Sequence, residues 1–432
     1  MPMDLIGQTV SERGSKAGGT RRGLRLGGWA GAVAALALVV AACGSTPSSH
    51  KSPSSSSKVP NVSINSFTLN FSEMGKLKGL VGAGHGPVGV ILPDTVTSTR
   101  YVEFDAPYLK EAMQKAGYPA SDIIITNAQG SDATELSMAE SDITRGAKVL
   151  VMDPIDATVG SEIQSYASSH GVALISYDRA TFAGTNTYYV SFNNFKVGQL
   201  IGQGFESCIS AWHVSTPQVW EVDGGENSDP NAISFAQGYN SVIWGTKTTP
   251  LTAPKTNSKG YTLVGDQVTL DWTPATAGTN FAQALTAHPS INAVVVANDE
   301  MNAEIVQDLK NKGIAAKTIP TTGQDATLTG AENILTGYQC GTVYKPIYLE
   351  AQDAITLATI LRAGKTPPNA LVNSTTVDPA QSSITEPASL LLPEWVTPQN
   401  MASTLIKDKF IPAASLCSAV GQSVCSKYNI SG

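Results

Sequence analysis

Gly171-Val-Ala-Leu-Ile-Ser-Tyr-Asp-Arg179 and, after a polar loop, Tyr188-Tyr-Val-Ser-Phe-Asn-Asn-Phe-Lys-Val-Gly198 decide the fold. The first stretch is an apolar run that stops at a charged pair, Asp178-Arg179, which predicts a buried strand ending in polar groups. The second is a further extended segment, Tyr188 to Phe192, leading into a helix. A strand end with a charged pair beside a crossover segment predicts a ligand site next to a hinge between two lobes.

The same rhythm runs outward in both directions. Upstream, apolar strands are expected at Val88–Leu92, Ile123–Ile125, Val149–Met152 and Val172–Ser176, separated by helices at 102–115, 131–145 and 160–169. Downstream, helices at 196–210, 232–243, 275–287 and 301–312 alternate with strands at 218–222, 261–267, 293–297 and 318–322. An extended run at 341–344 and a long helix at 347–363 follow. Apolar strands alternating with amphipathic helices specify βαβ units and parallel sheets. The expected architecture is α/β: two doubly wound parallel-sheet lobes joined by a three-stranded hinge, with crossings at Tyr188–Phe192, Gly341–Tyr344 and the Leu390–Leu392 region. The expected partition is residues 87–190 plus 345–389 for the N-terminal lobe and 191–341 plus 393–432 for the C-terminal lobe.

The N-terminus reads as a leader. Arg13, Lys16, Arg21, Arg22 and Arg25 precede an apolar run that ends Val40-Ala-Ala-Cys43-Gly. A charged region followed by an apolar one is a secretory signal. Small residues before a cysteine resemble the bacterial lipobox, which implies lipidation at Cys43 and a leader over 1–42. Residues 43–60, rich in Ser, Pro and Lys, read as a tether, since that composition cannot bury a core. Residues 61–86 form an N-terminal extension with no assigned role. The expected location is outside the cytoplasmic membrane, held only by the lipid.

Removing residues 1–42 takes away five basic and two acidic side chains, shifting the net charge from −7 to −10. Such an acidic chain argues against nucleic acid as a partner. Four cysteines remain, and an exported chain favours disulfides. Of the three possible pairings, Cys417–Cys425 closes a short loop and is the first choice, leaving Cys208–Cys340. Buried free thiols are the alternative. No metal-ligand spacing is present, and no cofactor is expected.

In open parallel sheets, ligands bind beyond the carboxyl ends of the strands. The residues just past each expected strand are Arg100, Tyr101, Asp178, Arg179, Asn231, Trp272, Asn298, Asp299, Gln324, Asp325 and Lys345. This set combines planar hydrogen-bonding groups with aromatic rings, the mixture that a neutral polyhydroxylated ligand requires. Each also has a bland alternative: Asn231, Asp299 and Asp325 as helix caps, Asp178-Arg179 as a solvated pair, Trp272 and Tyr101 as core, and Lys345 as a surface charge.

From about Pro87 onward the chain resembles the type I periplasmic sugar-binding proteins of ABC importers, nearest the xylose binders. The motifs are Tyr177-Asp-Arg179, Val190-Ser-Phe-Asn-Asn-Phe-Lys-Val-Gly198, Val264-Gly-Asp-Gln267 with Trp272 and Pro274, Ala297-Asn-Asp299, Thr322-Gly-Gln-Asp-Ala326 and Thr342-Val-Tyr-Lys-Pro346. The resemblance implies a monosaccharide, D-xylose in the first place, held in the interlobe cleft by those strand-end residues. It also implies an ABC permease as partner and a monomer. Tyr101 stands where the xylose binders carry Trp, and Asp229-Pro-Asn231 replaces an Asp-Asn-Asn run, so other pentoses or hexoses stay open. A sensor that presents sugar to a membrane receptor is the other reading.

Catalysis is not expected. The histidines at 50, 85, 170, 213 and 288 fall away from the strand ends, and no nucleophile elbow is present. A repressor is excluded because its DNA-binding helices would occupy the place of the leader and tether.

Overall fold

The computed structural model describes residues 58–183, 187–225 and 228–431. The expected leader and the lipidation site at Cys43 lie outside the described residues, as does most of the expected tether.

The first sheet has seven strands, in the order β11-β12-β5-β4-β3-β1-β2. These are β1 (Val88–Leu92), β2 (Ile123–Asn127), β3 (Val149–Met152), β4 (Ala173–Tyr177), β5 (Thr187–Phe192), β11 (Ser374–Val377) and β12 (Thr385–Leu391). All pairings are parallel except β11 with β12. The central strands β1, β3 and β4 are buried along their whole length, which is why they read as uninterrupted Val, Ile and Leu.

The second sheet is β7-β8-β6-β9, with β6 (Gln218–Gly224), β7 (Lys255–Thr256), β8 (Thr262–Thr269) and β9 (Ala293–Val296). A two-stranded pair joins β10 (Thr342–Tyr344) to β13 (Glu394–Val396). Among the described residues, twelve α-helices flank these sheets: α1 (Lys78–Ala83), α2 (Ala106–Ala116), α3 (Asp132–Thr144), α4 (Ala157–Ser169), α5 (Asn194–Ala211), α6 (Pro230–Ile243), α7 (Pro274–Ala287), α8 (Asp299–Asn311), α9 (Leu328–Thr336), α10 (Ile347–Arg362), α11 (Ala413–Val420) and α12 (Gln422–Lys427). Several of their starts are capped: Ser131, Asp156, Asn193, Asp229 and Asn298 each accept a backbone N–H of the first turn, so α6 and α8 are capped by Asp229 and Asn298 and not by Asn231 and Asp299.

The chain passes between the lobes three times, from β5 into α5, from β10 through Lys345-Pro346 into α10, and from β12 into β13. Both disulfides take the first-choice pairing, Cys208–Cys340 and Cys417–Cys425.

Three local expectations are revised. Thr318–Thr322 does not form a strand. Pro320 has no N–H to donate, and the Thr322 hydroxyl takes the ladder's place, accepting from the Val296 N–H at 2.8 Å and donating to its carbonyl at 3.0 Å. The helix expected over 102–115 is split. Residues Tyr101–Asp105 form a wide turn closed by the Ala106 N–H on the Tyr101 carbonyl, and α2 starts only beyond it, with Pro107 in its first turn.

The stretch 61–86, without a role in the sequence reading, belongs to the N-lobe core. Val62, Phe67, Phe71, Met74, Leu77 and Leu80 are buried in one cluster with Leu109 and Met113 of α2 and Ile355 and Leu357 of α10. The Arg362 guanidinium ties the segment down by donating to the Val81 and Gly86 carbonyls. Leu77→Ala is therefore expected to cost about 2–5 kcal/mol in urea unfolding, the range for truncating a core leucine. A loss below about 0.5 kcal/mol would place the segment on the surface instead.

Candidate functional site

Every strand of the two sheets that points into the cleft ends in a loop that delivers a polar or aromatic side chain. A cavity of about 350 Å³ lies between the lobes, lined by Thr97, Ser98, Arg100, Tyr101, Asp178, Arg179, Asn231, Phe235, Trp272, Asn298, Gln324, Asp325 and Lys345.

The cavity floor is a chain of alternating charges. Arg100, only 3% exposed, grips Asp105 with two donors at 2.9 and 2.8 Å, and reaches Asp178 and Glu350 at 2.8 Å each. Lys345 lies 4.0 Å from Asp178 and 2.8 Å from Asp325 of the opposite lobe. Arg179 lies 3.5 Å from Asp153 and 3.8 Å from Asp229, again across the cleft. Burial works against the Arg100 charge, but Asp105, Asp178 and Glu350 outweigh it and raise its pKa well above the usual value. Burial alone would likewise raise the Asp178 carboxyl; Arg100, Lys345 and Arg179 together hold it below its ordinary range. Asp178 is thus a permanent hydrogen-bond acceptor. Each cation of the site has carboxylates against it, so the cavity offers no unpaired cation to a ligand.

The aromatic groups are equally fixed. The Tyr101 ring sits between Arg100 and Arg179, with guanidinium carbons 5.7 and 5.8 Å from its centroid. Burial raises its pKa well above 10, so the phenol keeps its proton and can donate. Trp272 donates its indole N–H to Asp229 at 2.8 Å and meets Phe235 edge-on at 6.1 Å. Its ring lies on the backbone of Gly224, where a Cβ would come within 1.9 Å of a ring carbon, so only glycine fits there. Asp178 (φ 60), Asp271 (φ 53), Trp272 (φ 54) and Asp325 (φ 84) all hold left-handed backbone. Such strain in non-glycine residues concentrates at functional sites.

Of the eleven residues expected from the sequence, all but Asp299 line this cavity. Asp299 is a correction: it points into the C-lobe behind the cleft and is fully buried. Its carboxylate accepts from Gln339 at 2.7 Å, from the Thr327 N–H at 2.9 Å and from Thr342 at 3.0 Å, and presses on Gly323, where a Cβ would fall 2.1 Å away. Asn298 both caps α8, at 3.0 Å from the Met301 N–H, and lines the cavity. Asn231 lines the cavity while donating to the Asp178 carbonyl at 3.0 Å and accepting from Asn194 at 2.7 Å.

Sequence reasoning missed Phe235, Asp105 and Glu350. Phe235 is one helical turn beyond Asn231 on α6, so helix periodicity was the available signal. Gln324 Oε1 is buried against the cavity with no hydrogen-bond partner among the described residues. An orphan acceptor of that kind points to a donor on the ligand.

The lobes are closed on each other. Glu300 of the C-lobe accepts from Ser98 Oγ at 3.2 Å and from the Thr99 N–H at 3.1 Å, and Phe104 stacks on Phe410 at 3.9 Å. Burial, reinforced by Asp325 and Asp299, pushes the Glu300 carboxyl up to about 8.

The comparisons agree with this geometry. Residues 88–366 match the periplasmic binding protein domain. The D-xylose-binding periplasmic protein of Escherichia coli is 32% identical over 299 residues, 69% of this chain and 84% of that protein. The multiple sugar-binding periplasmic receptor ChvE of Rhizobium radiobacter is 30% identical over 344 residues, 77% of this chain and 93% of that protein. A solved carbohydrate transporter solute-binding protein from Chloroflexus aurantiacus, in complex with D-glucose, superposes with a TM-score of 0.63 at 27% identity, covering 76% of this chain and 97% of its own. Fold and cleft define a two-lobed ligand-binding protein, of a family whose members are transport components and not enzymes. The chain belongs to the periplasmic binding protein family, in its type I sugar-binding branch serving ABC-type transport.

The raised carboxyls fix a pH dependence. Burial raises Asp299 to about 7, as it does Glu300 to about 8. Between the ordinary carboxyl range near 4 and about 8, the folded chain holds protons that the unfolded chain has released, so stability falls as pH rises through that window. The lowered Asp178 acts only below about 4. The melting temperature is expected to be higher at about pH 5.5 than at about pH 8.5, and Glu300→Gln should flatten part of that slope. A melting temperature that rises with pH would contradict these assignments.

Proposed function

We propose that this chain is the substrate-binding lipoprotein of an ABC sugar importer, anchored through Cys43, holding one monosaccharide between its lobes and delivering it to a permease. The observation that carries the reading is the cavity wall itself. Its cations are each paired with carboxylates, Gln324 Oε1 is an unused acceptor, and Tyr101, Phe235 and Trp272 flank the space. A charged ligand would leave a buried ion unpaired, whereas a sugar brings neutral hydroxyls for the polar groups and C–H faces for the rings.

D-Xylose is the first candidate, supported by relatives named for it at 32% identity. D-Glucose is the second, supported by the ligand of the Chloroflexus protein. Asp178, Arg179 and Tyr101 grip from the N-lobe. Asn231, Trp272, Asn298, Gln324 and Asp325 grip from the C-lobe, with Lys345 at the crossing. Contacts to both lobes bias the opening equilibrium toward the closed form, which the permease then recognises. Delivery to a membrane receptor is the second reading, favoured by the relative named as a receptor.

Calorimetry with xylose, arabinose, ribose, glucose and galactose tests this. At least one sugar should bind with a dissociation constant of about 1 μM or tighter, roughly −8 kcal/mol. Arg179→Ala should weaken it by tenfold or more, the loss of one charge-assisted hydrogen bond of about 1.5–3 kcal/mol, while cooperative melting is kept. Silence toward every monosaccharide would sink the proposal.

A further inference from the structure

Glu300, in the first turn of α8, reaches out of the C-lobe to the N-lobe loop that follows β1. Its Oε1 accepts from Ser98 Oγ at 3.2 Å, from the Thr99 N–H at 3.1 Å and from Thr99 Oγ1 at 3.5 Å. Its Oε2 is buried with no hydrogen-bond partner among the described residues.

The loop it holds supplies part of the cavity wall: Thr97, Ser98, Arg100 and Tyr101 all line the space. The first part of the loop is fixed by its own lobe. Asp94 accepts from the Val96 and Thr97 N–H groups at 2.7 Å each and from Thr97 Oγ1 at 2.6 Å. The last part is the wide turn, where the Val102 and Glu103 N–H groups bond to the Thr99 carbonyl at 3.2 and 3.0 Å. Between the two, the Ser98 hydroxyl and the Thr99 N–H bond across the cleft to Glu300. Only closed lobes make these contacts, so opening returns Glu300 to water and releases residues 98 and 99.

Resting on the sugar-binding reading above, we propose that Glu300 is a positioning residue for the ligand: it lies behind the cavity wall, locks Ser98 and Thr99 onto the closed cleft, and holds that lock less firmly as pH rises. The direction follows from where the charge sits. In the open form an exposed glutamate titrates near 4. In the closed form the carboxyl is out of water, beside Asp325 and Asp299 of its own lobe. The charged groups of the facing loop are already committed, Asp94 to its own turn and Arg100 to Asp105, Asp178 and Glu350. Lys345 pairs with Asp325 at 2.8 Å, and α7, packed on α8, carries no titratable side chain. The Thr99 N–H and the first turn of α8 favour the ionised form, but burial and the two carboxylates outweigh them and push Glu300 up to about 8. Between about pH 4 and about pH 8, closure therefore takes a proton from solvent, and the closed form loses ground as pH rises through that window. The other raised carboxyls around the cleft add no such linkage. Asp153 and Glu350 are set by N-lobe charges and Asp299 by C-lobe groups, which stay together when the lobes part.

The test is calorimetry of the tightest-binding monosaccharide at about pH 5.5 and about pH 7.5, in buffers of different ionisation enthalpy so that proton uptake is counted. Wild type should bind about tenfold more weakly at the higher pH and take up as much as about one proton per sugar. Glu300→Ala should bind about tenfold more weakly than wild type at the lower pH and show no pH dependence. Glu300→Gln keeps the acceptor for Ser98 and Thr99 without the charge. It should restore the affinity to within about threefold of wild type at the lower pH, hold it at the higher, and so bind more tightly than wild type there. A purely structural loss weakens binding at both pH values and cannot produce that gain. A wild-type affinity that is flat or rises with pH, a Gln variant that keeps the slope, or an Ala variant equal to wild type at both pH values overturns the inference and leaves the sugar-binding reading standing. Silence toward every monosaccharide overturns both.

Discussion

A buried guanidinium sets the terms for the rest of this structure. Arg100 holds Asp105, Asp178 and Glu350 at 2.8–2.9 Å, in a place where neither the cation nor the anions can reach water. An isolated charge there would cost several kcal/mol, so each partner is needed to retain the others. The chain of charges continues through Asp178 to Lys345 and on to Asp325, and so crosses from one lobe to the other. With carboxylates against each of its cations, it presents hydrogen-bonding edges to the cleft without presenting an unpaired cation. That property selects an uncharged, hydroxyl-bearing ligand over an ionic one.

The backbone serves this network. Asp178 leaves β4 in the left-handed region, its N–H still on the Val190 carbonyl at 3.0 Å, so its side chain turns back toward Arg100. Gly224 gives Trp272 a flat bed, and the wide turn at Tyr101–Asp105 sets Arg100, Tyr101 and Asp105 beside one another. Three chain crossings then restrict how the two halves of the network separate. Glu300 against Ser98 and Thr99, and Phe104 against Phe410, show how the rims meet when the lobes close.

Much of this was legible in the sequence, for identifiable reasons. Fully buried parallel strands read as apolar runs, so β1, β3, β4 and β9 and their polar ends were visible, and with them Asp178, Arg179 and Asn298. Side-chain direction was not visible. Asp299 neighbours Asn298 in sequence but faces the C-lobe interior, because Gln339 and Thr342 claim its carboxylate. The Arg100 clamp was hidden because Glu350 is 250 residues away along the chain. Core membership of residues 61–86 was hidden too, since Phe67, Phe71, Met74 and Leu77 lie on short irregular turns that carry no sustained period.

The most direct measurement is a crystal structure of the protein with its tightest-binding monosaccharide. The account predicts one sugar ring in the cavity, its hydroxyls on Asp178, Arg179 and Gln324 and its C–H face against Trp272 or Phe235, with polar contacts from both lobes. A sugar bound elsewhere, or held by one lobe alone with the Arg100–Asp178–Lys345–Asp325 chain facing away from it, would contradict the account.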